Sequence, residues 1–167
     1  MSGAAPVRLL TVCLGNICRS PTAEAALVEA AAAAGLAVEV RSAGTGDWHV
    51  GHPPDPRMRA AAERVGLRLD GVAESVTAEA LAEADLVLAM DRTNLADVRR
   101  VAAAAGVTTR IELFRTYDPE PAAVRGAAAD EVPDPYYGDE GGFDEVVAMC
   151  RRTAGAVIAA LVDGPRA

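Results

Sequence analysis

The segment Cys13-Leu14-Gly15-Asn16-Ile17-Cys18-Arg19-Ser20 sets a thiol and a guanidinium at the two ends of one short stretch. A planar guanidinium fits two phosphate oxygens at once, and a thiolate is a nucleophile able to form a covalent intermediate. Gly15 and Asn16 between them tolerate left-handed backbone angles, so the loop can curl with successive N–H groups turned inward. Closed by the N-terminus of a following helix, such a nest cradles a tetrahedral dianion. The same field favours a thiolate at Cys13, and the Ser20 hydroxyl is placed to donate to that sulfur. In-line attack on a phosphate held there needs no metal to collect charge. The Gly-Lys-Ser/Thr ending of a nucleotide-binding loop is missing. A plainer alternative is a buried strand-end cysteine followed by an ordinary capped helix.

Such chemistry requires a strand to deliver the thiol and a helix to aim at it. Leu9-Leu10-Thr11-Val12-Cys13 is a nearly continuous apolar run with β-branched residues, and reads as a buried parallel strand. Ser20-Pro21 reads as a capping hydroxyl followed by proline at the first helical position. Thr22 to Ala34 is then helix, and Gly35 stops it. Ligands of open α/β sheets bind beyond the carboxyl ends of the strands, which is where Cys13 falls. Ala37 to Ser42 alternates as a second strand, and the Gly- and Pro-rich run from Gly44 to Pro56 is loop. Further helices are expected from Asp55-Pro56 to about Val65, from Thr77 to Glu83, and from Asn94 to Ala105. Asp85 to Met90 and Arg110 to Phe114 are the third and fourth strands, and Phe143 to Val162 is a long closing helix. Strands alternating with helices predict one α/β domain over residues 1–167 with a parallel sheet.

The stretch from Arg115 to Gly142 holds four prolines and little periodicity. A loop of that length inside a compact domain is usually a lid or a binding loop. It carries Asp134-Pro135-Tyr136-Tyr137-Gly138, acidic and aromatic. Pro133 and Pro135 would stiffen the approach of Asp134, although an Asp before Pro also serves as a plain turn former.

Composition narrows the classes. A net charge of −8 argues against a nucleic-acid backbone binder. Aromatic residues make up only 4% of the chain, so the core must rest on Val, Leu, Ile and Ala. Three cysteines and no signal-peptide pattern predict reduced thiols in a cytoplasmic protein, and no apolar run reaches membrane-span length. His49 and His52 lack the companions a metal site needs, so no metal or cofactor is expected. Both read as loop residues without catalytic duty.

At these residues the chain resembles the low-molecular-weight protein-tyrosine phosphatases. Val12 to Pro21 looks like the family's phosphate loop, and Ser42-Ala43-Gly44-Thr45, Asp55-Pro56-Arg57, Met90-Asp91 with Asn94, and Asp134 to Tyr137 match in order. The resemblance implies a three-layer domain with a four-stranded parallel sheet in the order 2-1-3-4, helices covering both faces. It implies two-step hydrolysis of phosphotyrosine in partner proteins by a monomer, through a phosphocysteine on Cys13. Arg19 would clamp the phosphate, and Leu14, Gly15, Asn16, Ile17, Cys18 and Ser20 would complete the loop. Asp134 would act as acid and then base. Trp48, Tyr136 and Tyr137 would wall a slot for the substrate ring, deep enough to favour phosphotyrosine over phosphoserine. A surface-packed tryptophan is the plainer reading of Trp48.

The resemblance also implies a reversible Cys13–Cys18 disulfide, with a core thiol as the alternative for Cys18. Cys150 reads as core, and Asp91 and Asn94 as braces. Ile17 agrees with tyrosine rather than arginine phosphatases, which tend to carry threonine there. A thiol-linked arsenate reductase would need two further cysteines in mid-chain, and there are none between Val38 and Met149. A phosphotyrosine-binding module without turnover would be expected to lose the nucleophile or the acid.

Overall fold

Along Val7–Cys13 the side chains alternate between two apolar environments, and this alternation organises the molecule. The computed structural model describes residues 4–164, so the ends of the expected 1–167 domain lie outside the described residues. Val7–Cys13 is β1, followed by α1 (Arg19–Ala34), β2 (Val38–Gly44), α2 (Pro56–Glu63) and α3 (Ala78–Glu83). Then come β3 (Leu86–Ala89), α4 (Arg92–Ala104), β4 (Arg110–Leu113), a 3-10 turn (Phe114–Tyr117) and α5 (Glu140–Asp163).

The four strands form one parallel sheet in the order β2-β1-β3-β4, as the family resemblance implies. Leu9 is paired with Val40 on one side and Leu86 on the other. Leu9, Cys13, Leu88 and Met90 join Leu27, Met58, Phe143 and Ile158 in a core beneath α1, α2 and α5. Leu10, Val12 and Val87 join Leu81 and Val98 beneath α3 and α4. The result is three layers, with Cys13 at the carboxyl end of the central strand β1 and buried in the larger core.

Several boundaries differ from the sequence expectation, each for a local reason. α1 begins at Arg19, with Cys18 at the capping position and no side-chain cap. Ser20 is therefore inside the helix, its hydroxyl turned to Cys13 instead of capping. α4 begins at Arg92 because the Asp91 carboxylate accepts from the Asn94 N–H, making Asp91 the cap. α5 starts at Glu140 for the same reason, with Asp139 accepting from Gly142. β2 runs on to Gly44, which brings that glycine beside the loop after β1.

Candidate active site

The loop leaving β1 is fixed first from outside. The Thr45 N–H donates to the Cys13 carbonyl at 2.9 Å, the Gly46 N–H to Leu14 at 2.8 Å, and the Asp55 N–H to Ile17 at 2.9 Å. Gly44 makes this approach possible, since a Cβ there would lie 2.8 Å from the Leu14 oxygen. With those carbonyls turned outward, the amides of Leu14, Gly15, Ile17 and Cys18 have no protein acceptor among the described residues. Unpaired amides grouped in this way suit an anion, which supplies several lone pairs at once. Asn16 takes the left-handed angle the curl requires, with φ at 57°.

Cys13 Sγ receives the Asn16 N–H at 3.2 Å and lies 3.0 Å from Ser20 Oγ. Asn16 decides which way the hydroxyl points. Its Oδ1 accepts from the Glu74 N–H at 2.9 Å, and its Nδ2 donates to Ser20 Oγ at 2.7 Å. The hydroxyl accepts from the amide and is left to donate its proton to sulfur. Two donors thus converge on Cys13 Sγ.

Arg19 is almost fully buried, at 3% exposure. One nitrogen, Nη1, donates to Asp91 at 2.7 Å and to the Val132 carbonyl at 3.1 Å, while Nη2 lies 3.6 Å from Asp134 Oδ2. Burial works against its charge, but Cys13, Asp134 and Asp91 outweigh that and raise its pKa further. Asp91 also accepts from the Asn94 N–H at 2.8 Å, which ties the guanidinium's partner to the start of α4.

Asp134 arrives on the long loop, where its Oδ1 caps the Tyr136 N–H at 3.1 Å. That loop is not shapeless. Asp118, buried, accepts from Arg115 Nε at 2.9 Å and from Arg152 on α5 at 2.7 and 2.9 Å. Arg115 in turn donates to the Glu131 carbonyl at 3.1 Å, next to Val132.

Cys13, Leu14, Gly15, Ile17, Cys18, Arg19, Trp48, Asp134, Tyr136 and Tyr137 all line one cavity of about 500 Å³. Asn16 and Ser20 stand behind the loop instead, acting on it from the rear. Trp48 and Tyr137 are 68% and 92% exposed, so the outer wall is open at its rim. Tyr136 and Tyr137 meet edge-to-face at 4.9 Å.

His49, on the loop beside Trp48, also lines the cavity, with its ring 6.1 Å from that of Tyr136. Arg57 was overlooked as a support: Asp55 pairs with it, and its guanidinium stacks on Tyr136 and Phe143 at 5.3 and 4.7 Å. That side-chain hydrogen bond from Arg57 holds the Asp55 carboxyl below its ordinary range. Adjacency to Trp48 and the Asp-Pro-Arg run were the signals available.

Cys13, Cys18 and Cys150 are all free thiols. Burial, with Asp55 beside it, pushes the Cys18 thiol far up, and burial alone dominates at Cys150, pushed up to about 12. Among the described residues no three His, Cys, Asp or Glu side chains are grouped to hold a metal, and no helix is long and apolar enough to cross a membrane.

Residues 8–164 match the family model for low molecular weight phosphotyrosine protein phosphatase. The chain belongs to that family. A low molecular weight protein-tyrosine-phosphatase of Streptomyces coelicolor is 42% identical over 156 residues, covering 92% of this chain and 93% of the relative. Among solved structures of similar fold, YfkJ from Bacillus subtilis has a TM-score of 0.84 and 34% identity, covering 96% of this chain and 98% of its own. A Drosophila arginine phosphatase reaches the same TM-score at 27% identity, covering 94% and 99%. The loop from Val12 to Pro21 lies within the matched range.

Proposed function

We propose that this chain hydrolyses phosphotyrosine in proteins in two steps through a phosphocysteine on Cys13. The observation that supports it most is the convergence of the Ser20 hydroxyl and the Asn16 N–H on Cys13 Sγ, in a cavity shared with Arg19 and Asp134. The substrate's phosphoryl oxygens accept from the loop amides and the Arg19 guanidinium, which hold phosphorus in line with the sulfur. The S–P bond forms as the P–O bond to the phenol breaks, and Asp134 delivers its proton to the leaving oxygen. Water then attacks the phosphocysteine and gives a proton to Asp134. The S–P bond breaks, phosphate departs, and Ser20 again solvates the thiolate.

Trp48, Tyr136 and Tyr137 suit a flat aryl group, which is why phosphotyrosine is the preferred substrate over phosphoarginine. The likeness to an arginine phosphatase makes the comparison necessary. Rates on matched phosphotyrosine and phosphoarginine peptides decide between the two. Faster turnover of phosphotyrosine, lost in Cys13→Ser, supports this reading; faster turnover of phosphoarginine overturns it. Stoichiometric binding without phosphate release would make the chain a binding module instead.

A further inference from the structure

Gly46 stands beneath the only tryptophan of the chain. A Cβ built on it would fall 2.0 Å from Trp48 Cζ3 and 2.4 Å from Cε3, well inside any tolerable contact. Backbone shape does not demand glycine here, since Gly46 is absent from the left-handed positions taken by Gly51, Gly66 and Gly71. What demands it is the indole ring, which occupies the space a side chain would fill. The Gly46 N–H meanwhile donates to the Leu14 carbonyl, so this backbone is tied to the phosphate loop. The ring therefore lies against a fixed surface although it is 68% exposed. A long exposed side chain without such a seat would sample several rotamers.

We infer that Gly46 is a positioning residue for substrate selection: it seats Trp48 as the outer wall of the cavity, and so sets the preference for an aryl phosphate. This rests on the proposed phosphotyrosine reading. The specificity effect runs through the ring alone. A methyl at position 46 lifts the indole off the backbone and out of the wall, while the amide that holds Leu14 is kept.

The test compares Gly46→Ala, Trp48→Ala and the double variant with the parent. Intrinsic fluorescence of Trp48, measured without substrate, should change in emission and in acrylamide quenching in Gly46→Ala. KM for a phosphotyrosine peptide should rise about three- to tenfold, the scale of one aromatic contact, with kcat little changed. Competitive inhibition by inorganic phosphate, which occupies the cradle but has no ring, should stay at the parent value. The double variant should be no worse than Trp48→Ala, because Gly46 acts only through the ring. Unchanged fluorescence and KM in Gly46→Ala would overturn the inference. So would a weakened phosphate inhibition, or a double variant worse than Trp48→Ala, since either means that Gly46 acts on the cradle. If the parent fails to hydrolyse phosphotyrosine, the functional reading falls, while the fluorescence result still tests the seat.

Discussion

The loop from Cys13 to Ser20 and the segment from Phe114 to Tyr137 meet at Arg19, yet their working groups are set in different ways. In the first, amides of Thr45, Gly46 and Asp55 pin the loop from outside, but the bonds that reach the sulfur are local: Cys13 with Ser20, and Asn16 with both. In the second, shape comes from distant partners. Arg152 reaches Asp118 from α5, and the Val132 carbonyl is caught by Arg19 from the start of α1. A local device leaves a contiguous motif in the sequence, whereas a device built from remote ion pairs leaves scattered residues of ordinary type. The two regions also differ chemically, since the first collects donors and the second delivers a carboxylate.

Substitutions can separate the two halves of this comparison. The largest effect is expected at Cys13→Ser, which should reduce phosphotyrosine turnover to background while inorganic vanadate or phosphate still binds, as equilibrium binding would show. Asp134→Ala should slow hydrolysis of an aryl phosphate with a poor leaving group by about 10²–10⁴, and much less for a good leaving group. Steady-state rates across such a series check this, and equal losses throughout would blur the division between cradle and carboxylate.

Asp118→Ala should cost about 3–5 kcal/mol in denaturant unfolding, because it strands the buried Arg115 beside Arg152. The same residue carries a pH signature. Burial raises the Asp118 pKa, but hydrogen bonds from Arg152, the Glu120 N–H and Arg115 outweigh this and hold it well below the usual carboxylate range. A group depressed on folding stabilises the fold above its unfolded pKa of about 3.9, and that stability drains away as pH falls. The parent should therefore lose stability below about pH 4 more steeply than the Asp118→Ala variant.

The smallest effect is expected at Ser20→Ala. Removing its hydrogen bond to the sulfur should lower kcat/KM roughly 10- to 100-fold, and the buried Asn16 Nδ2 left without an acceptor should cost about 1–3 kcal/mol in thermal unfolding.

The same contrast governs how much was legible beforehand. Strand order, layer count and the cradle followed from the apolar run ending at Cys13, the Gly-Asn turn and the family resemblance. The start of α1 did not, because Ser20-Pro21 looks like a cap until the Ser20 hydroxyl is seen serving Cys13. The cap roles of Asp91 and Asp139 were obscured because each precedes residues that are themselves plausible starts. His49 reads as a loop residue in the sequence, and only the fold shows that it lines the cavity with Trp48. The Arg115–Asp118–Arg152 cluster had no spacing to betray it, since Arg152 joins from another element.

Gly44 carries a consequence for the energetics of turnover. By letting β2 press against the Leu14 oxygen, it commits the cradle's dipoles during folding, before any substrate arrives. A phosphoryl group entering such a rigid ring of amides meets a field already pointed at it, so little reorganisation is left for the reaction itself. Bulk at position 44 would loosen that arrangement from a site that never touches the substrate.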